Sequence, residues 1–463
     1  IVQPDEIDVP PFYRDDPDMR RHLVRVYNSL RLCDRRIRER LDELEEDGLR
    51  EDTIIFSFAD HGEGLPRGKA NGIGFGYRAS AVAWFPEKWA HLNPWGTGEA
   101  TGELISFMDL PPTLLNLAGV EAPAAMTGRV LLGEGRQAPR EFVYASRNRI
   151  GDTPDCCRSV MDGRFVYTRN YHPHFPSVKY QKYQDVGGIM RAIRRDYADG
   201  KLNDVQAELV DPVRPLEYLY DLHSDPWETV NLAEDPAYRE DLERLRRAAL
   251  DRAREIGDVM FLPEREMIDR SEGSTAYERR LDPKANPLED LQAAADLVGR
   301  PEALRQQFAL LNHDDSAVRY WGAVGLYAAR HVLADHEETT EHVRALKAAL
   351  TDESPTVRIE LAGALYIVNR DAEAKAMLES AIAGEDHILA HQAIMKVLYM
   401  PECAEDFIDV AVRARQFVVP DEKSGGKDAI FLHDKALDMF LHIHGGRRLF
   451  FEEDLPFLNE HDA

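Results

Sequence analysis

Thr53-Ile54-Ile55-Phe56-Ser57-Phe58-Ala59-Asp60-His61-Gly62 runs from an almost wholly apolar stretch, rich in β-branched and aromatic residues, into an acid, an imidazole and a glycine. An apolar run without alternation is the pattern of a strand covered on both faces in a parallel sheet. Upstream, Leu23, Val26, Leu30, Cys33, Ile37, Leu41 and Leu44 recur at steps of three or four, which predicts one long helix ended by Gly48. A helix feeding such a strand is an α/β unit. Downstream, residues 79–85 read as a second buried strand, and residues 110–117 as a helix that Asp109 can cap and Gly119 closes.

An open parallel sheet places its ligand crevice at the carboxyl ends of its strands, so Asp60 and His61 fall where chemistry concentrates. A carboxylate and an imidazole on adjacent residues can both reach one cation when the strand frays into a loop. Gly62 and Gly64 then let the backbone turn close to it. The plainer reading is a strand-end Asp that caps a turn. Lys69, in a glycine-bounded loop shortly afterwards, can set an ammonium against an anionic substrate oxygen.

At 463 residues, 44% hydrophobic and 30% charged, the composition is that of an ordinary globular chain long enough for several domains. Its 57 Lys and Arg against 83 Asp and Glu leave a net charge of −26, which excludes nucleic-acid binding through the general surface because phosphate contacts need clustered cations. An anionic substrate must then meet a local basic site. Residues 136–214 are that stretch, with 14 Lys and Arg against 10 Asp and Glu. Within it, Asp162-Gly163 suits a tight hairpin turn between residues 158–161 and 165–168, so a smaller unit with antiparallel strands is expected. Cys33, Cys156, Cys157 and Cys403 are too few and too unevenly spaced for a disulfide framework or a paired-thiolate zinc site. No apolar run approaches the roughly 18 residues of a membrane span. The opening Ile1-Val2-Gln3-Pro4-Asp5, without Met, reads as a truncated or processed N-terminus.

Beyond Asn286-Pro287 the pattern becomes purely helical and repeats. Leu311-Asn312-His313-Asp314-Asp315-Ser316-Ala317-Val318-Arg319 precedes Leu326-Tyr327, and 39 residues later Leu350-Thr351-Asp352-Glu353-Ser354-Pro355-Thr356-Val357-Arg358 precedes Leu365-Tyr366. A third, shorter unit carries Ala393 and Leu398-Tyr399. Such periods mark stacked helix pairs, each burying its apolar face only against its neighbours. These segments resemble HEAT repeats. The acidic Glu452-Glu453-Asp454 reads as a solvated terminal surface.

Four ordered motifs in the first 260 or so residues resemble the sulfatase family of the alkaline-phosphatase superfamily. Leu44-Glu45-Glu46-Asp47-Gly48-Leu49 leads to Thr53 and Asp60-His61-Gly62; Lys69, Arg78 and Pro86 follow at the family's spacing; Asp109-Leu110-Pro111-Pro112-Thr113-Leu114-Leu115-Asn116-Leu117-Ala118-Gly119 and Leu219-Tyr220-Asp221-Leu222-His223-Ser224-Asp225-Pro226-Trp227-Glu228-Thr229-Val230-Asn231-Leu232 complete the set. The resemblance implies an α/β fold: part of a layered sulfatase-type sheet over 1–135, a smaller α+β subdomain over 136–270, a linker over 271–295 and an all-α HEAT-like solenoid over 296–463. It implies that Asp60 and His61 are two ligands of a divalent metal, Ca2+ in most of the family, and that Lys69 is the catalytic lysine on the sulfate. Arg78, Arg147, Arg149 and His172 are then expected to contact substrate. Calcium prefers oxygen ligands whereas imidazole better suits zinc or manganese, so His61 leaves the metal open.

The departures bear on activity. Sulfatases carry a Cys or Ser in a Cys/Ser-x-Pro-x-Arg motif, oxidised to formylglycine, and no cysteine or serine here stands in one. The family's first metal-binding Asp pair has no counterpart either. The expectation is a sulfuric ester hydrolase acting on a sulfated small molecule or carbohydrate, with the nucleophile encoded upstream and this chain inactive alone. Gly74 stands where the family usually has an acid and Ser80 where it has Pro, while Cys156-Cys157-Arg158 reads as structural. The alternatives are a phosphodiester or phosphonate ester hydrolase of the same superfamily, or a non-catalytic HEAT-type interaction protein that binds a protein partner or itself through the repeats. By resemblance, the location is periplasmic or secreted.

Overall fold

Asp16 starts the first long helix, α1 (Pro17–Glu46): its carboxylate accepts the Met19 amide, and Pro17 occupies the first turn, where its missing N–H costs nothing. Only the first turns of α1 are buried, at Met19 and Leu23, while Leu30 and Ile37 of the same stripe are exposed. Gly48 follows with φ +68°, the left-handed ending expected of it. The computed structural model describes residues 1–69, 71–335, 338–415, 428–447 and 449, so the acidic Glu452-Glu453-Asp454 lies outside the described residues.

The apolar run forms strand β1 (Ile55–Phe58), but it pairs antiparallel with β2 (Ala81–Trp84), Ile55 opposite Trp84 and Phe58 opposite Ala81. This corrects the expectation of two buried parallel strands. Residues 59–80 return the chain through turns and one short helix rather than by a helical crossover, and among the described residues β1 and β2 pair only with each other. Phe58 and Val82 are 53% and 65% exposed in consequence. Helix α2 (Leu110–Leu117) also starts differently from its expected cap: Asp109 accepts from the Ser106 and Arg129 amides and pairs with Arg140, so its carboxylate ties two loops together.

The basic stretch builds a four-stranded antiparallel sheet in the order β3 (Val143–Arg147), β4 (Cys157–Met161), β5 (Phe165–Asn170) and β6 (Glu217–Asp221). Asp162-Gly163 makes the predicted β4–β5 turn, with Gly163 at φ +95° and Asp162 accepting the amides of Arg164 and Phe165. Helix α3 (Gly188–Ala198) packs Ile189, Met190 and Ile193 with Phe12, Tyr13 and Leu23 from the start of the chain. Helix α4 (Arg239–Ile256) covers the sheet, burying Leu242, Leu245 and Ala249 against Val160, Tyr167 and Leu219.

The remaining described chain is helical: α5 (Glu264–Arg270), α6 (Leu288–Asp296), α7 (Leu304–Leu310), α8 (Ser316–Ala328), α9 (Thr339–Ala349), α10 (Pro355–Asn369), α11 (Ala372–Ile382), α12 (His387–Leu398) and α13 (Asp428–Ile443). The repeated turn has a mechanical reason. Asp315 caps α8 by accepting two amides, as Asp371 and Asp386 do for α11 and α12, whereas Ser354, which repeats the position of Asp315, makes no side-chain cap on α10. Arg319 then donates to the carbonyls of its own turn, His313 and Asp314, and to both oxygens of Asp352 in the next unit at 2.7 and 3.0 Å. Arg358 repeats the carbonyl contacts at Asp352 and Glu353.

The helices share a core with the rest of the chain. Trp321 donates its indole N–H to the Phe261 carbonyl at 2.8 Å within a cluster that includes Tyr171 and Leu291, and Phe175 sits among Tyr327, Leu350 and Leu398. Arg319→Ala should destabilise the chain by about 2 kcal/mol, the loss of a charge-assisted pair that leaves Asp352 under-satisfied. Chemical denaturation measures this, and an unchanged midpoint contradicts the inter-unit role.

Candidate active-site loop

Where β1 ends, the Ala59 amide still donates to the Ser80 carbonyl, and the chain then leaves the ribbon. Asp60 follows with its side chain 87% exposed and His61 lies beside it, His61 Nε2 being 3.5 Å from Asp60 Oδ1. His61 Nδ1 lies 2.9 Å from the Gly62 carbonyl oxygen. A proton on Nδ1 donated to that carbonyl leaves Nε2 as a bare lone pair facing a carboxylate oxygen, an arrangement that a cation between them relieves.

The glycines divide by role. A Cβ on Gly62 meets the Phe75 carbonyl oxygen at 2.4 Å, one on Gly68 the Glu63 carbonyl oxygen at 2.1 Å, and one on Gly76 the Gly68 carbonyl oxygen at 2.3 Å. These three let the outgoing and returning chain lie backbone to backbone, sealed by Gly62 N–H donating to Gly76 O. Gly64 has only the far end of His61 nearby, at 3.7 Å. The sequence argument thus applies to Gly62 and not to Gly64.

As a metal site the pair is partial. Calcium takes about 6–8 oxygens and zinc about four ligands. Among the described residues no group of three His, Cys, Asp or Glu side chains could hold an ion. Asp60 and His61 therefore supply two donors, and the described residues do not complete a centre.

Lys69 is half-buried, with its ammonium 5.5 Å from the centre of the Tyr183 ring and its carbonyl accepting from Gln184 Nε2 at 3.3 Å. It borders a narrow recess together with Asn71, Arg147, Ser177 and Lys179. Arg147, at the end of β3, is 3% exposed and donates from Nη1 to Asn71 Oδ1 at 3.4 Å and to the Ser177 carbonyl at 3.2 Å. The structure thus brings two of the expected site residues, Lys69 and Arg147, to one recess.

The others lie elsewhere. Arg78 is held by Glu228 and the Pro226 carbonyl, at 2.9 and 3.0 Å. Arg149 grips Glu264 of α5 with two hydrogen bonds of 2.9 and 3.1 Å. His172 is buried against His174, Phe175 and Trp321, and burial lowers its imidazole to about 3, so it is neutral at ordinary pH. Burial pushes the Cys156 thiol up to about 12 and raises Cys157 too, which suits a structural role for both.

The single-residue reading missed Asp155. This fully buried carboxylate pairs with Arg147 at 3.0 Å, with Lys179 at 2.6 Å and with Arg214, cations from three separate segments. Burial by itself raises the Asp155 carboxyl, but Arg214, Lys179 and Arg147 outweigh it and hold the group well below its ordinary value. The local basic excess of residues 136–214 was the available signal, although it named no residue.

Gly62→Ala should destabilise the chain by about 1–3 kcal/mol, since backbone rather than a flexible side chain occupies the space. Gly64→Ala should cost less than half as much. Thermal melts of both variants check this ranking, and equal shifts overturn it.

Residues 8–120 match the Sulfatase family model. An ulvan-active sulfatase of Formosa agariphila is 35% identical over 283 residues, 61% of this chain and 46% of that protein. The N-sulphoglucosamine sulphohydrolase of Homo sapiens is 27% identical over 257 residues, 52% of this chain and 50% of its own. A structure solved in complex with its substrate D-glucosamine-2-N,6-O-disulfate overlays 48% of this chain and 38% of its own at 17% identity, with a TM-score of 0.30. The chain spans about half the length of the curated relatives it matches. The loop that carries Asp60, His61 and Lys69 thus lies inside the segment that matches the Sulfatase family model.

Proposed function

We propose that the complete protein hydrolyses sulfuric esters of a carbohydrate, with Asp60 and His61 as two ligands of a divalent metal, Ca2+ on the family resemblance, and with a formylglycine from outside this chain. The observation that carries the proposal is the Asp60–His61 pair, 3.5 Å apart at the end of β1 within the sulfatase-family segment. The metal would supply positive charge to the sulfate oxygens. The contact of His61 with the Gly62 carbonyl fixes the ring so that Nε2 faces the Asp60 carboxylate. Lys69 has no carboxylate partner among the described residues, so its ammonium is available to hold a sulfate oxygen.

A carbohydrate substrate is supported by the relatives, one named for ulvan and one for N-sulphoglucosamine. The helical units are read as HEAT-like, and their shared core with the sheet favours a supporting role. The location proposed is periplasmic or secreted.

The chain of 463 residues has no Cys/Ser-x-Pro-x-Arg motif, so alone it should release no sulfate from 4-nitrophenyl sulfate or from sulfated oligosaccharides. In the longest reading frame that encodes it, Asp60→Ala should reduce sulfate release to background. Lys69→Ala should lower kcat by about 10²–10³-fold, the scale for losing one group that stabilises developing negative charge. Ion chromatography of released sulfate measures both, and wild-type rates in either variant would place the site elsewhere.

A further inference from the structure

Among the described residues, three that are not glycine have a positive φ: Arg67 at +86°, Glu228 at +56° and Arg370 at +50°. Arg370 ends helix α10, where a left-handed residue is ordinary. The other two are locked together although they lie far apart in sequence. Arg67 Nη1 donates to the Trp227 carbonyl at 3.0 Å, and Nη2 donates to the Glu228 carbonyl. Both residues hold a conformation that side chains other than glycine rarely adopt, and such strain persists only where the surroundings over-determine it.

The surroundings do so here. Arg67 is 4% exposed, with its guanidinium 4.9 Å from the centre of the Phe12 ring. The Tyr13 hydroxyl donates to the Pro66 carbonyl beside it. Phe12, Phe75 and Trp227 meet with ring centres 5.4 to 5.9 Å apart. Arg78, where the loop returns, donates to the Pro226 carbonyl and to Glu228 Oε1 at 3.0 and 2.9 Å. Two arginines of one loop thus grip three successive carbonyls and a fully buried carboxylate, while Asp225 holds the same turn by accepting the Thr229 and Val230 amides.

The loop gripped in this way carries Asp60, His61 and Lys69. The Gly62 and Glu63 amides donate to the Gly76 and Phe75 carbonyls, so its outgoing and returning halves are held as one piece. Lys69 forms no ion pair among the described residues, and its ammonium therefore stands where the backbone beneath it is held. We propose that Arg67 is a positioning residue for this site, anchored on the Pro226–Glu228 turn, and that it sets where Lys69 stands relative to Asp60 and His61. The catalytic use of Lys69 rests on the function proposed above; the clamp itself rests on the two left-handed residues and their hydrogen bonds. Arg78 serves the clamp rather than the substrate. Displacing a reacting group by about 1 Å can cost about 10²-fold in rate, which is the scale on which a clamp acts.

The test uses the longest reading frame that encodes this chain. Arg67→Met keeps the stem on Phe12 and removes both donors. Arg67→Gly removes the backbone strain as well, and so keeps the fold even where Arg67→Met loses it. In both variants the Gly62, Glu63 and Gly76 amides should exchange with deuterium at least about tenfold faster, while the amides of β4 and β5 keep their wild-type rates. Both should release sulfate about 10–10²-fold more slowly through kcat. Because Arg67 acts through Lys69, the double variant Arg67→Gly with Lys69→Ala should be no slower than Lys69→Ala. Wild-type exchange in the loop, exchange that quickens equally throughout the chain, a wild-type rate in Arg67→Gly, or losses that multiply in the double variant would each overturn the proposal. A wild type that releases no sulfate would overturn the proposed function instead, and the exchange pattern then decides the clamp: loosening confined to the loop upholds it, and unchanged or general exchange overturns it.

Discussion

One buried carboxylate gathers three separate segments of this chain. Asp155 receives Arg147 from the end of β3, Lys179 from the segment before α3 and Arg214 from the approach to β6. Three segments distant in sequence are thereby pinned to one point. Removing a partner from such a cluster leaves charge stranded in low dielectric, at a cost of roughly 3–5 kcal/mol, so the three cations hold their positions more firmly than surface ion pairs would. The recess beside Lys69 inherits its shape from that constraint.

The segment that carries Lys179 also carries His172, His174 and Phe175, which enter the helical array. Phe175 meets Tyr399 with ring centres 4.8 Å apart, and His174 meets Tyr327 at 5.5 Å. Lys396, paired with Glu360 at 2.6 Å, lies over both Phe175 and Tyr327. The array is therefore a buttress for the wall of the recess. Its own rigidity comes from the Asp and Arg residues of the repeated turn, because Arg319 ties its own turn to the carboxylate of the next unit. A network that is fully hydrogen-bonded specifies one arrangement rather than adding much net stability.

Local features were legible in the sequence wherever one residue type decides a conformation. The Asp162-Gly163 hairpin and the Gly48 helix end follow from backbone rules that act within a few residues, and the 39-residue turn repeat from Arg319 and again Arg358, each donating to the carbonyls of its own turn. The strand at residues 55–58 was legible as a strand but not in its pairing, because an apolar run looks the same whether it is covered by neighbouring strands or left exposed, as Phe58 is here. Asp109 was read as a cap because it precedes a helix, yet its carboxylate serves the Ser106 and Arg129 amides instead. Asp60, His61 and Lys69 stand out in the sequence through spacing and resemblance. The Asp155 cluster was invisible in the same way that any long-range ion pair is, since nothing in a sequence reports which of 14 cations will meet one acid.

The arrangement turns on the charge of Asp155, which holds Arg147, Lys179 and Arg214 at one buried point. The most direct measurement is chemical denaturation of Asp155→Asn, which keeps the shape of the side chain and removes its charge. The account predicts a loss of about 3–5 kcal/mol, because the buried partners lose their counter-charge. An unchanged denaturation midpoint would contradict it.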